Sequence, residues 1–240
     1  MSLAISVVMP AFNESRTIIE SVSRCLETLE SLYVPYEVIV VDDGSEDNTV
    51  DLLDSIENHH LRVVKNFGNL GKGASIINGW KEASGEYVCF LDADLDIDCR
   101  GISHFYSRIT AVDLPVDIVI GSKTHKDSSV SYPFGRRVQS RIFKLIVRIL
   151  FGLTIQDTQT GLKMFKQKVL QDCLPYVRTD GFAFDLELLV IAHEKDFIVI
   201  EEPVNVNFDF TSSVKLSSAL TMALDVIKIK KKSIMRNAKR

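Results

Sequence analysis

Tyr87-Val-Cys-Phe-Leu-Asp-Ala-Asp94 is an apolar run that ends in two carboxylates one residue apart, with Gly85 just ahead of it. A short hydrophobic run between a glycine and an acidic cluster fits a central strand of a parallel sheet, covered on both faces. Open α/β sheets place their ligands beyond the carboxyl ends of the strands, so the chemistry is expected where Asp92 and Asp94 leave this one. Alternate residues of an extended segment point to the same side, which lets the two acids converge. Hard oxygen donors suit Mg2+ or Mn2+, and Asp96 and Asp98 continue the spacing. Taken alone, the pattern also describes an acidic loop or helix cap after a strand.

On either side, strands alternate with helical periodicities. Ile5–Met9 reads as a first strand that stops at Pro10, and Asn13-Glu-Ser leads into the helical pattern Ile18, Ile19, Val22, Leu26, Leu29. Tyr36–Val41 reads as a second strand ending in Asp42-Asp43-Gly44-Ser45, with a helix from about Asp47. Leu61–Val64 is a short third strand, and Val116–Gly121 a fifth. This order predicts a single α/β domain on a mostly parallel sheet flanked by helices, with right-handed crossovers.

Between the third strand and its helix lies Asn66-Phe-Gly-Asn-Leu-Gly-Lys-Gly73. Glycines at a helix start can cradle phosphate, with Lys72 as its contact. The spacing is neither GxGxxG after the first strand nor GxxxxGK[ST], so a plain turn is the alternative.

Further on, Ser122–Ser131 is a polar loop expected to be mobile and near the site. Arg136, Arg137, Arg141, Lys144 and Arg148 then interleave with apolar residues up to Phe151, a helix that packs on the core or lies against lipid headgroups. Asp157-Thr-Gln-Thr-Gly161 is a polar loop before the strand Leu162–Phe165. A helix over Ala183–His193 carries Glu187 near its start, as a cap or an acting group. Phe197–Ile200 reads as the last sheet strand, Val204–Phe210 as an edge strand, and Val214–Ile229 as a helix that runs into a basic tail.

Composition narrows the field. With 240 residues, 46% hydrophobic and 25% charged, the chain can bury a large core, and disorder is not expected except at the tail. Cys25, Cys89, Cys99 and Cys173 form no CxxC pair and read as reduced structural thiols of a cytosolic protein. The N-terminal apolar run lacks a basic region before it and reads as a strand, not a signal peptide. No run of about 18 apolar residues occurs, so no membrane span is expected. The formal charge is −4, yet the last thirteen residues carry seven basic side chains and no acid, leaving −11 for residues 1–227.

Four features now stand in order: Pro10-Ala-Phe-Asn-Glu14, Val41-Asp-Asp-Gly-Ser45, Asp92-Ala-Asp94 and Asp157-Thr-Gln-Thr-Gly-Leu-Lys-Met-Phe165. Together they closely resemble family 2 glycosyltransferases of the GT-A, Rossmann-like fold, in the branch of dolichyl-phosphate and bacterial polyprenyl-phosphate sugar synthases. The resemblance assigns residues 1–210 to the GT-A domain and leaves 211–240 as an amphipathic helix and basic tail. It implies transfer of a hexose from a UDP- or GDP-sugar to a polyprenyl or dolichyl phosphate, with inversion, at the cytoplasmic face of a membrane. A nucleic-acid partner is not expected.

Carried over by position, Pro10, Asn13 and Glu14 line the nucleotide pocket, and Asp43 contacts the base with Asp42 in support. Asp92 and Asp94 hold Mg2+ or Mn2+ at the diphosphate, with Asp96 as a further ligand where relatives often have Gln. Lys123, where relatives often have Arg, joins Arg136 and Arg137 as cations for the acceptor phosphate. Asp157 orients the acceptor or takes a proton, and Gln159 and Gly161 shape the same pocket. The tail docks on anionic lipid, precedes a membrane segment beyond this chain, or is merely solvated. Alternative readings keep the donor site with a soluble glycan acceptor, or keep the fold as a non-catalytic nucleotide-sugar-binding protein.

Overall fold

Val88 and Phe90 pack into one buried cluster, Cys89 and Leu91 into another, so the strand that carries the two carboxylates is covered on both faces. In the computed structural model, residues 3–128, 134–181, 183–206 and 216–237 are described, with backbone alone for 134–142, 216–223 and Asn237. Among them the strands are Ile5–Ala11 (β1), Tyr36–Asp42 (β2), Leu61–Lys65 (β3), Tyr87–Leu91 (β4), Ile118–Ser122 (β5), Leu162–Lys166 (β6) and Val199–Pro203 (β7). They form one sheet in the order β3-β2-β1-β4-β6-β5-β7. The helices are Ile18–Glu30 (α1), Thr49–Asp54 (α2), Lys72–Glu82 (α3), Gly101–Ile109 (α4), Phe134–Phe151 (α5), Gln167–Cys173 (α6), Phe184–Glu194 (α7) and Leu216–Asn237 (α8).

Period-two alternation divides the core. Val8, Ile39, Val41, Ile118, Ile120 and Phe165 face α3, α6 and α7, while Val7, Met9, Val38, Val40, Val119 and Met164 face α1 and α4. All four cysteines are buried in these layers. β1 runs parallel to β2 and β4, and β5 parallel to β7. β6 is antiparallel to both β4 and β5. That reversal sets the start of β6 against the end of β4, with Leu162 opposite Leu91. The loop preceding β6 therefore arrives where Asp92 leaves the sheet.

Two expectations are corrected. The reading of Val204–Phe210 as an edge strand does not hold for Val204–Val206, which touch the fold through an isolated bridge from Val206 to Ile97. β7 is spent at Pro203, and Asn205 O instead accepts Asp98 N–H at 3.0 Å, drawing the chain over the loop after β4. Residues 207–210 lie outside the described residues. The basic stretch after Lys228 is the continuation of α8 as far as Asn237, not a tail leaving a shorter helix. Lys239 and Arg240 lie outside the described residues.

β7 is clamped to α4 by charge. Glu202 accepts from Arg108 Nε at 2.6 Å and pairs with His104 Nε2 at 2.8 Å. Burial would raise its carboxyl, but these partners outweigh it and hold Glu202 below its usual 4.5. A lowered folded value means stability that is complete above 4.5 and is lost as pH falls below it. Glu202→Gln is expected to flatten the decline of the melting temperature with acid in that window, as followed by circular dichroism.

Candidate active site

The turns after β1 and β2 are bonded to each other before any ligand is considered. Asn13 N–H donates to Ser45 Oγ at 2.9 Å, Asn13 Oδ1 accepts Glu46 N–H at 2.8 Å, and Glu14 N–H donates to Thr49 Oγ1 at 2.8 Å. Asn13 sits at φ 58°, a left-handed conformation that asparagine tolerates better than most residues. Asp47 takes Ser15 N–H and the Thr49 hydroxyl, and these bonds, against the opposing effect of burial, bring its carboxyl to about 2. Pro10 ends this wall, half-buried in β1.

The paired acids at the end of β2, Asp42 in the strand and Asp43 just after it, are buried and do different things. Asp43 Oδ1 accepts Asn66 Nδ2 at 2.8 Å and Leu70 N–H at 3.0 Å, and its Oδ2 accepts Gly71 N–H at 2.8 Å. Both of its oxygens thus hold the glycine loop. Asp42 Oδ2 accepts the amides of Gly44 and Ser45 at 3.1 and 3.2 Å. Its Oδ1 is buried and finds no hydrogen-bond partner among the described residues. An acceptor left bare in that way costs on the order of 1–3 kcal/mol unless something fills it.

Gly71, at φ +94°, caps α3 and presses against Asp180 O, so the glycine loop is a built turn on the face of α7's approach. Lys72 begins α3, and its Nζ lies 2.5 Å from Asp92 Oδ1 and 4.0 Å from Asp185 Oδ2. Burial alone would lower Lys72, but Asp92 and Asp185 reverse this and hold it above its ordinary value. Asp185 in turn meets Lys163 Nζ at 2.8 Å, and Lys163 also donates to Thr160 O. The result is a line of alternating charge, Asp92, Lys72, Asp185, Lys163, running from the end of β4 into the core. Lys163 and Asp185 were not singled out as site residues from the sequence; the signals available were the lone charge in the apolar run Leu162–Phe165 and the two acids, Asp185 and Glu187, in the otherwise apolar Phe184–Ala192.

Asp94 reaches solvent yet is walled by protein, and that desolvation, with Asp92, Asp96 and Glu14 nearby, pushes its carboxyl up to about 6. Its Oδ1 accepts Asp96 N–H at 3.0 Å across Leu95, which is held at φ 62°. Glu14 is raised as well, by burial and then by Asp47, Asp92 and Asp96, against the lowering bond from Thr17. Mutually repelling carboxylates balanced by one lysine are a donor set that fits a hard divalent cation. Among the described residues, however, no three acidic, His or Cys side chains are placed to coordinate together as they stand. Asp92 and Asp94 fit the ion by chemistry, and Lys72 occupies Asp92 in this state.

The loop before β6 closes the other side. Gly161 O accepts Asp92 N–H at 3.0 Å, and a Cβ on Gly161 would lie 2.5 Å from Asp92 Oδ2. Only glycine lets this loop pass the carboxylate. Asp157 accepts Lys123 N–H at 3.2 Å and Gln159 N–H at 3.3 Å, while its own N–H donates to Glu201 Oε1 at 3.1 Å. Lys123, Asp157 and Gln159 are thereby brought together. The side chains of Arg136 and Arg137 lie outside those described. Glu187 does not cap α7: it is fully buried, accepts Arg178 N–H, Thr179 N–H and the Thr179 hydroxyl, each at 2.8 Å, and meets Lys232 of α8 at 3.4 Å. It is a bolt between elements, because its helix position points inward rather than back at the helix end.

The profile of the family described as "Glycosyl transferase family 2" matches residues 6–174, spanning β1 through the β6 loop and α6. The chain belongs to glycosyl transferase family 2. Among its relatives in the family is "Dolichyl-phosphate beta-glucosyltransferase ALG5C" of Trichomonas vaginalis, 30% identical, covering 92% of this chain and 69% of that protein. "Glycosyltransferase AglD" of Haloferax volcanii is 32% identical over 84% of this chain, which spans 32% of its length. The family fold is also seen in glucosyl-3-phosphoglycerate synthase from Mycobacterium tuberculosis, solved with Mn2+, UDP-glucose and phosphoglyceric acid. It superposes with a TM-score of 0.70 at 22% identity, over 96% of this chain and 80% of that one. A form of that enzyme was solved with Mg2+ and UDP.

Proposed function

We propose that this chain transfers glucose from UDP-glucose to a polyprenyl phosphate of the dolichyl type, at the cytoplasmic face of a membrane. The observation that carries the reading is the hydrogen bond from Asp92 N–H to Gly161 O, which builds the acidic donor wall and the Asp157 loop into one site. The names of the curated relatives supply the sugar and the lipid phosphate. A divalent ion, Mg2+ or Mn2+, held by Asp92 and Asp94 with Asp96 beside them, would neutralise charge on the departing nucleoside diphosphate.

The chain's own residues account for the rest. Pro10, Asn13 and Glu14 wall the nucleotide, and Lys72 at the N-terminus of α3 stands where a diphosphate is favoured. Asp42 rather than Asp43 has an oxygen left for the base N–H, since Asp43 is committed to the glycine loop. Lys123, Arg136, Arg137 and Gln159 receive the acceptor phosphate. One phosphate oxygen attacks the anomeric carbon from the face opposite the diphosphate, and the bond to the diphosphate breaks with its electron pair. With a second pKa of about 6, that phosphate is largely a dianion near neutral pH. Asp157 therefore serves chiefly to orient it, and takes the proton of the minority monoanion.

The test is a transfer assay with sugar-labelled UDP-glucose, Mn2+ or Mg2+ and a short-chain polyprenyl phosphate. Label passing to the organic phase is the expected result, with GDP-mannose as the competing donor. Donor hydrolysis without lipid product would remove the acceptor half of the proposal. For the base contact, Asp42→Asn is expected to weaken UDP binding by roughly 10- to 100-fold by calorimetry, the loss of a charged acceptor. Asp43→Asn should instead lower thermal stability, because it releases the glycine loop.

A further inference from the structure

Seven of the sixteen large hydrophobic side chains exposed among the described residues lie on two helices, α5 and α8. On α8 they are Leu224, Ile227, Ile234 and Met235, set apart by steps of three and seven with Met235 next to Ile234, and with Lys228 and Lys231 between them. Val226, Ile229 and Ser233 occupy the opposite, buried side of the same helix. On α5, Leu145, Ile146 and Ile149 are 57%, 42% and 73% exposed, with exposed Arg148 among them. The helices are adjacent, since Lys230 of α8 donates to Leu150 O at the end of α5 and lies 5.6 Å from the Phe151 ring centroid. Scattered surface hydrophobics are ordinary, but outward faces of this kind on neighbouring helices mark a docking surface.

We infer that the outward faces of α5 and α8 dock on an anionic lipid bilayer. Apolar side chains interleaved with Arg148, Lys228 and Lys231 are the composition of helices that lie in a membrane interface. The neighbouring acid, Asp225, is paired with Lys228 at 2.9 Å. The remaining described basic residues of α8 are spent inside the protein: Lys230 on Leu150 O, Lys232 on Glu187, and Arg236 on Glu194 at 2.8 Å. Docking is thus a property of a helix face held by the core, not of a loose basic tail. α5 also reaches the acceptor side of the site, because Lys144 Nζ donates to Gln156 Oε1 at 2.7 Å, next to Asp157. The choice of a bilayer over another partner rests on the lipid-phosphate acceptor proposed above.

The test is flotation of the whole chain with vesicles, without donor or acceptor. Wild type is expected to float with phosphatidylcholine vesicles containing phosphatidylserine and to be reduced on phosphatidylcholine alone. Ile149→Ser, Ile227→Ser and Ile234→Ser, all at exposed positions, should together lower the partition coefficient at least about tenfold. Their melting temperature and their turnover with a detergent-dispersed short-chain acceptor should stay as in wild type. Equal flotation of variant and wild type, or no flotation of wild type, would overturn the inference. So would a wild-type dimer in sedimentation velocity that the triple variant converts to monomer, which assigns the faces to a second copy. Flotation with no transfer to any lipid phosphate would defeat the proposed function and leave the docking face standing.

Discussion

Asp94→Asn is expected to cut sugar transfer by about a thousandfold while leaving the protein folded, the scale seen when one preorganised charge-stabilising group is removed. Asp94 is desolvated by the protein around it and faces Asp92, Asp96 and Glu14, and its carboxyl is pushed up to about 6. A group so placed destabilises its own ionised form and is relieved when a cation arrives. Asn keeps the size and can still accept Asp96 N–H, so the turn through Leu95 should persist. It removes the charge. Two measurements separate the roles: turnover with saturating donor, and the rise in melting temperature on adding Mn2+. Wild type should show that rise and Asp94→Asn should lose most of it. Turnover within threefold of wild type would remove Asp94 from the ion's ligands.

How much of this could be seen in the sequence depends on the range of the interaction that fixes each feature. Asp92 and Asp94 were legible because a strand end and an alternate spacing are local facts, and the β1 to β4 alternation gave the sheet's first half. The direction of β6 was not legible. An apolar run such as Leu162–Phe165 carries the same period whether its neighbours run with it or against it. Yet that reversal is what delivers Gly161 to Asp92.

The ends of elements misled for a related reason. Val204–Phe210 alternates as a strand does, but a strand needs a partner edge, and the bond from Asp98 to Asn205 takes the chain elsewhere. The basic residues after Lys228 looked like a solvated or lipid-seeking tail because their partners, Glu187, Glu194 and Leu150 O, lie roughly 40 to 80 positions earlier. Glycines divided similarly. Gly161 was recognised as part of a motif, whereas the physical reason for it, a carboxylate 2.5 Å from where its Cβ would be, belongs to the tertiary structure.

Lys163→Met should destabilise the protein by roughly 3–5 kcal/mol, because it leaves a buried carboxylate without its main partner. Asp185 is 4% exposed and lies 2.8 Å from Lys163, with Lys72 the next cation at 4.0 Å. For a chain of 240 residues that loss corresponds to a fall of roughly 6 to 20 °C in melting temperature. The orphaned carboxylate also competes for Lys72, which would draw the lysine off Asp92 and disturb the donor wall from a distance. Adding Asp185→Leu to Lys163→Met removes the stranded charge, and apolar replacements of buried pairs are often neutral or better. The double variant should therefore recover most of the stability in urea titrations while transfer stays low, since Asp185 no longer helps to place Lys72. Equal stability of the single and double variants would mean that the pair contributes packing alone. Full recovery of both stability and transfer would mean that Asp92 holds Lys72 without help from the buried end of the line.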